Sequence, residues 1–451
     1  MKHLRYTVLL LVLLRCTTTP EEIPAPKEEI VEQSILNLEL NEQDRIKIYS
    51  LPSRYWPEVV PGRRLLSGRS EKPLFSGLDV ISLDSFRLLK NRKFALLTNA
   101  TGLDRNLNAS LELLLRAGLK PSLIFEPEHG LFGAEDSPSV NGIRYDPAYD
   151  VRILSLYSDQ KKPRPDQLEG IDSIVVDIFN LPVRCYTYVS TLTYIMEAAA
   201  DNRIEVIVLD RPNPYGFWKA AGAQLERGYE SFVSTAPVPF LYSMTPGEYV
   251  RYMASIRYTN LSVSIVKVAN YSRDEMDAPL RQSWINPSPN IPSLEAAYVY
   301  PGMVFFEGTN ISLGRGTTRP FIYSGSPWMN SREVLRRMRQ LDLPGVQLAE
   351  IIYSPNTSLY RGEKCHGIQV IPVSAEFDPI RTGYEYMRIV REIHPQFTIT
   401  GSEGNFFIDR LWGGPGYRLA INSDMPYSEF KKTWETESSS FESFSAEFRL
   451  Y

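Results

Sequence analysis

Between Lys93 and Asp210 the chain alternates short apolar runs with amphipathic stretches, and this alternation narrows the possible folds more than any other feature. Lys93 to Thr98 (KFALLT), Ser122 to Glu126 (SLIFE), Ile171 to Ile178 (IDSIVVDI) and Glu205 to Asp210 (EVIVLD) read as buried strands. After the first of them, Ser110 caps a helix whose Leu111, Leu114 and Leu115 share a face and which Gly118 ends. Leu192, Ile195, Met196 and Ala199 recur at the helical period ahead of EVIVLD. Strands spaced this way are joined by helical crossovers and therefore run parallel. The expectation is an α/β chain with a Rossmann-like parallel-sheet domain over 77–265. Beyond about residue 266, Asn286-Pro287-Ser288-Pro289-Asn290, Pro301-Gly302 and Gly314-Arg315-Gly316 break the rhythm. Helices are predicted near Ser331–Leu341 and Ile380–Ile393, and a smaller α+β C-terminal domain over 266–451.

The N-terminal segment carries a different kind of information. Met1-Lys2-His3-Leu4-Arg5 is basic, Val8 to Leu14 is an unbroken apolar run, and Cys16 follows. Seven apolar residues fall far short of the ~20 that span a bilayer, so residues 1–16 read as a secretory signal. Leu13-Leu14-Arg15-Cys16 resembles a bacterial lipoprotein box, with Cys16 as the lipidated first residue of the mature chain. Arg15 departs from that pattern, which leaves an uncleaved or ordinary signal as the alternative. Either way the protein is expected outside the cytoplasm, in the cell envelope facing the periplasm or exterior, and the lipoprotein reading adds a lipid anchor that holds it to the membrane. Residues 17–76 read as a tether and N-terminal extension, acidic and poor in apolar residues at first. From Ile35 to Leu66 apolar residues return, enough to dock on the body of the protein.

Each predicted strand ends in a polar, turn-rich cluster: Thr98 to Gly102, Glu126 to Gly130, Asp177 to Asn180, and Asp210 to Pro214. In an open parallel sheet ligands bind beyond the carboxyl ends of the strands, so these clusters would line one rim. Turn chemistry alone accounts for Pro212, Pro214 and Gly130, but poorly for Glu128-His129. Several reaction classes lack their equipment. There is no G-x-G-x-x-G after the first strand, no P-loop and no G-x-S-x-G, so neither nucleotide nor cofactor is expected. Four histidines and three cysteines (Cys16, Cys185, Cys365) show no metal-ligand spacing, and His366 beside Cys365 reads as interior. With 49 basic against 53 acidic residues, nucleic acid is not an expected partner. Carboxylates remain: Glu128, Glu135, Asp136, Asp177 and Asp210, with Glu248 and Glu307 farther on. Paired carboxylates in a cleft are the equipment of glycoside hydrolysis.

Taken in order, PEHG (127–130), YTYVST (186–191), LDRPNP (209–214), SMTPGE (243–248), PSPN (287–290), YPG (300–302), EGTN (307–310) and GRGTTRPF (314–321) resemble the bacterial exo-β-N-acetylmuramidase family. The resemblance covers about Gly77 to the C-terminus. It implies a Rossmann-like domain with a smaller C-terminal domain, and release of N-acetylmuramic acid from the non-reducing end of peptidoglycan fragments. It also implies Glu128 as the leading catalytic residue, with Glu307 and Glu248 as further cleft carboxylates. Two departures stand out. The family usually has a Q-D-V-G-like run where this chain has Phe179-Asn180-Leu181-Pro182, and His-Gly where it has Tyr242-Ser243. The alternative reading is therefore a non-catalytic peptidoglycan-binding lipoprotein.

The motif loops supply the expected substrate contacts: Asn99, His129, Arg184, Tyr186, Arg211, Asn213, Asn290, Asn310 and Arg315. A cation is needed for the lactyl carboxylate of muramic acid, and Arg315, Arg184 and Arg211 are the candidates. Tyr186 and Tyr188 either stack on sugar faces or belong to the core. Glu126, two residues from Glu128, is expected to raise the pKa of that catalytic acid/base by its like charge.

Overall fold

The structure, a computed structural model, describes residues 34–41, 45–56, 73–134, 141–276, 278 and 283–451. Cys16, Glu135 and Asp136 lie outside the described residues. The strands expected from the apolar runs are present as β3 (Phe94–Thr98), β4 (Leu123–Glu126), β7 (Ser173–Asp177) and β8 (Glu205–Leu209). Five further strands join them: β1 (Asn37–Asn41), β2 (Ile46–Ser50), β5 (Ile143–Asp146), β6 (Val151–Ser155) and β9 (Val263–Val266). Among the described residues they form one nine-stranded sheet, in the order β1-β2-β9-β8-β7-β3-β4-β6-β5. From β2 through β6 in that order every pairing is parallel. The outermost strands, β1 and β5, are antiparallel. The N-terminal extension thus docks by adding an edge to the sheet.

Both faces of the sheet are covered, which is why its strands read as continuous apolar runs rather than alternating ones. Phe94 and Leu96 of β3 point to one core with Leu78 and Ile81 of α1 (Gly77–Leu83) and Leu111 and Leu114 of α2 (Ser110–Arg116). Ala95 and Leu97 point to the other, with Leu192, Ile195 and Met196 of α3 (Thr187–Asn202) and Val250 and Met253 of α4 (Pro246–Ile256). The α2 helix starts one residue earlier than a Ser110 cap requires. Ala109 is the cap, and the Ser110 hydroxyl instead turns inward to Thr98 Oγ1, 3.3 Å away. The chain runs outward from β3 through β4 to β6, then crosses back to β7 on the other side of β3. The strand order therefore reverses between β3 and β7, the position at which a crevice opens in such sheets.

The C-terminal part has a three-stranded antiparallel sheet, β10 (Tyr323–Ser326), β11 (Val346–Tyr353) and β12 (Cys365–Pro372), with β12 in the middle. Around it lie α5 (Leu294–Met303), α6 (Ser331–Gln340) and α7 (Pro379–Ile393), followed by α8 (Phe407–Trp412), α9 (Gly416–Asn422), α10 (Tyr427–Lys432) and α11 (Glu435–Ser445). This part is not separately cored: its apolar residues continue into the α3 face of the large sheet. Much of the aromatic stock is used here, with Tyr384 stacked on Phe430 at 4.5 Å and Phe305 on Tyr417 at 4.3 Å.

Gly302 of the YPG motif and Gly383 let α5 and α7 cross at backbone contact. A Cβ on Gly383 would lie 2.0 Å from the Gly302 carbonyl oxygen, and one on Gly302 would lie 1.9 Å from that of Pro379. Backbone cannot yield as a side-chain tip can, so Gly383→Ala is expected to destabilise by about 1–3 kcal/mol or more. Thermal melting checks this. An unchanged midpoint would mean that the helices are free to slide apart.

Candidate active site

Glu128 leaves the carboxyl end of β4 on a tight turn. Pro127 precedes it, and His129 and Gly130 both adopt positive φ, 72° and 73°. Glu126, beneath the turn, is fully buried: its Oε2 accepts from the Leu131 N–H at 2.9 Å and from Arg144 Nη2 at 2.6 Å. Its charge is neutralised by Arg144 and its role is to pin the turn. The like-charge push on Glu128 expected from the sequence is thereby answered by a guanidinium.

The turn delivers the Glu128 carboxylate to the start of α3. Thr187, the first helical residue, donates its hydroxyl to Glu128 Oε2. The first turn of α3 contains no acidic residue and Tyr186 supplies no capping side chain, so Glu128 brings negative charge to the positive end of a 16-residue helix. A second hydroxyl comes from Tyr157, at the carboxyl end of β6. It faces Glu128, and burial together with that carboxylate pushes the phenol up to about 12. Lys161 lies over the Tyr157 ring, 4.4 Å from its centroid, and 4.3 Å from that of Phe232.

The C-terminal part closes the other side. Glu307, in the 3-10 turn Val304–Gly308 that continues α5, accepts from Arg315 Nη2 at 2.6 Å. Burial works to lower the Arg315 pKa, but Glu307, with Tyr300 and Glu128, raises it on balance, so both carboxylates face the same guanidinium. Gly314 and Gly316 flank Arg315 at positive φ, 65° and 78°, which turns the GRG loop toward the site. Tyr188 donates its hydroxyl to the carbonyls of Glu128 (3.3 Å) and Pro287, bringing the loop of Asn290 to the same edge. Asn99 contacts the Tyr188 hydroxyl and holds its own turn by accepting from Thr101 N–H and Oγ1 at 2.9 and 2.6 Å. Tyr186 and Tyr188 meet edge to face at 4.9 Å and are enclosed, so they wall the site and offer no open face for a sugar to stack on.

Other expected site residues are placed elsewhere. Arg184, expected to bind substrate, is fully buried and donates to Ser234 Oγ (2.9 Å) and to the carbonyls of Ala223 (2.7 Å), Val238 (2.7 Å) and Trp412. Burial pushes its pKa down to about 10. Glu248, expected in the cleft, is fully buried at the third position of α4, where it and Thr245 form a reciprocal capping box. Arg273 Nη2 and the Leu450 N–H also donate to it, each at 2.9 Å. Arg211 is buried against Asp177, with Nε at 2.8 Å from Oδ1, and its Nη1 donates to the Leu103 carbonyl at 2.7 Å. Asn213 holds an Asx turn by accepting from Tyr215 N–H at 2.7 Å. Asn310 pairs with Gln396 and Thr398. Nearer the crevice, the two departures noted in the sequence prove to be partners: Asn180 Nδ2 donates to the Tyr242 hydroxyl at 2.7 Å, both buried. Among the described residues no group of three or more His, Cys, Asp or Glu could hold a metal ion.

A family model described as the N-terminal domain of exo-β-N-acetylmuramidase NamZ matches residues 94–295, and the C-terminal NamZ model matches 298–451. The chain belongs to the NamZ exo-β-N-acetylmuramidase family. It is 32% identical over 378 residues to the peptidoglycan β-N-acetylmuramidase NamZ of Bacillus subtilis, covering 83% of this chain and 91% of that protein. Two crystal structures of DUF1343 family proteins from Bacteroides fragilis share the fold. One has a TM-score of 0.77 at 28% identity and the other 0.65 at 26%, each match covering 84% of this chain and 99% of its counterpart. The protein is a NamZ-like glycosidase, and the two NamZ models meet at the start of α5, just ahead of the turn that carries Glu307.

Proposed function

We propose that the protein releases N-acetylmuramic acid from the non-reducing end of peptidoglycan fragments, with Glu128 as the proton-transferring carboxyl group. The observation that carries this reading is the contrast between two carboxylates beside Arg315. Glu307 is committed to the Arg315 guanidinium. Glu128 is held by the hydroxyl of Thr187 and faced by that of Tyr157, and among the described residues no cation lies within ion-pair distance of it. A hydroxyl can donate or accept, so it follows a carboxyl group through either protonation state, which a guanidinium cannot. Glu128 then protonates the departing glycosidic oxygen as its bond to C1 breaks, a water molecule adds to C1 and returns a proton to Glu128, and Glu307, paired with Arg315, is the second carboxylate of the site.

The test is incubation of purified protein with a chromogenic β-N-acetylmuramide and, in parallel, the β-N-acetylglucosaminide. Turnover of the muramide is expected. The second reading, a peptidoglycan-binding protein without chemistry, is favoured by the Asn180–Tyr242 pair, since an amide and a buried phenol exchange no protons at neutral pH. Binding of muropeptides without turnover of either sugar would select it.

The same reading puts the protein in the cell envelope, anchored through lipid on Cys16. No helix among the described residues is long and apolar enough to cross a membrane. Cys16→Ala is expected to move the protein from the membrane to the soluble fraction. Wild-type protein found soluble would end the anchoring assignment.

A further inference from the structure

We propose that Lys161 selects the substrate, its ammonium binding the lactyl carboxylate of N-acetylmuramic acid beside Glu128. This rests on the muramidase reading above and names how the site distinguishes its sugar from N-acetylglucosamine, which lacks the lactyl ether.

The cations expected for this task from the sequence are already occupied. Arg184 and Arg211 are enclosed and saturated by protein acceptors or Asp177. Arg315 is paired with Glu307, and Arg144, which the sequence did not single out, with Glu126. Lys161 differs from all of them: among the described residues its ammonium contacts two aromatic rings, Tyr157 and Phe232, and no carboxylate lies within ion-pair distance. Those rings stand 5.8 Å apart at 37° and form a notch that holds the ammonium. Burial lowers the Lys161 pKa, with the charges of Glu128 and Asp159 opposing. A cation stripped of part of its water by aromatic walls, with no counter-ion in contact, gains strongly from an incoming carboxylate.

Position agrees with the chemistry. The Tyr157 ring under Lys161 follows β6, which pairs with the β4 strand ahead of Glu128, and its hydroxyl faces that carboxylate, so the ammonium stands beside it without pairing with it. The lactyl ether leaves the sugar at C3, two carbons from the anomeric carbon on which Glu128 acts. A group that recognises it must therefore be a neighbour of Glu128, as Lys161 is. A carboxylate could also come from a stem peptide, which occupies the lactyl carboxyl as an amide and places its own farther out.

Calorimetry separates these sources. N-acetylmuramic acid, its lactyl amide, N-acetylmuramoyl-alanine and N-acetylglucosamine are titrated into wild type, Lys161→Met and Lys161→Arg, whose folding is checked by thermal melting. Wild type is expected to bind the free acid best. Lys161→Met should weaken that binding by roughly 10–100-fold, as loss of a charge-assisted hydrogen bond does, and leave the lactyl amide and N-acetylglucosamine unchanged. Lys161→Arg should restore most of the preference. A preference for the alanyl derivative that depends on Lys161 would place the recognised carboxylate on the peptide and overturn the lactyl assignment. If wild type hydrolyses the muramide and Lys161→Met keeps the full preference, the inference fails while the proposed reaction stands. If Lys161 governs binding but neither sugar is hydrolysed, the inference stands and the proposed reaction fails.

Discussion

Glu128→Gln lowers kcat on a β-N-acetylmuramide by roughly 10²–10⁴-fold while the affinity for N-acetylmuramic acid persists. Glutamine keeps the shape of the side chain and can still accept from Thr187, but it cannot deliver a proton. The neighbouring residue provides the control. Glu126→Gln breaks the buried pair with Arg144 and weakens the hold on the Leu131 N–H, so it lowers the melting temperature more than it lowers kcat per folded molecule. Single-turnover kinetics with both variants distinguish the cases. Near-wild-type turnover in Glu128→Gln would transfer the role to Glu307, whose own substitution is then the decisive one.

The second large effect is on stability. Arg184→Met should destabilise the fold by about 3–5 kcal/mol, because it leaves a set of buried carbonyls without donors. The guanidinium ties the Ala223 and Val238 carbonyls, below the rim, to the Trp412 carbonyl at the end of α8. Methionine fills part of the volume and replaces none of those donors. Urea unfolding reads the loss, and sugar affinity measured on the folded fraction should stay near that of wild type. A normal melt combined with lost affinity for N-acetylmuramic acid would return Arg184 to the substrate.

The contrast between these two residues shows what a sequence can and cannot disclose here. The place of Glu128 at the rim was legible because it follows an apolar run that only a buried strand explains, and the carboxyl end of such a strand is where a parallel sheet presents its ligands. The NamZ motifs reinforced that reading. Glu248 carries a competing signal: Thr245-Pro246-Gly247-Glu248 ahead of an apolar helix is a capping-box pattern with proline at the first helical position, and that is the role it fills. Arg184 and Arg211 carried no such signal. Whether an arginine meets substrate or buried carbonyls depends on chain that arrives from far away, Trp412 in one case and Asp177 in the other.

Tyr157, Thr187 and Lys161 went unrecognised for a related reason. Thr187 lies inside the YTYVST motif, yet its register at the head of α3 is set only when the helix docks against the sheet. Tyr157 and Lys161 follow β6, a five-residue strand whose apolar run is interrupted by the exposed Arg152. Neither that strand nor its rim loop is legible in the sequence, though pairing of β6 with β4 sets the loop next to Glu128. Local sequence thus determined the four central strands at 94–98, 123–126, 173–177 and 205–209, four of the helices and the catalytic candidate, because burial on both faces and helical periodicity are written in neighbouring residues. Which cations are free and which carboxylate is held by hydroxyls was decided only by tertiary structure, since each partner comes from a segment distant in the chain.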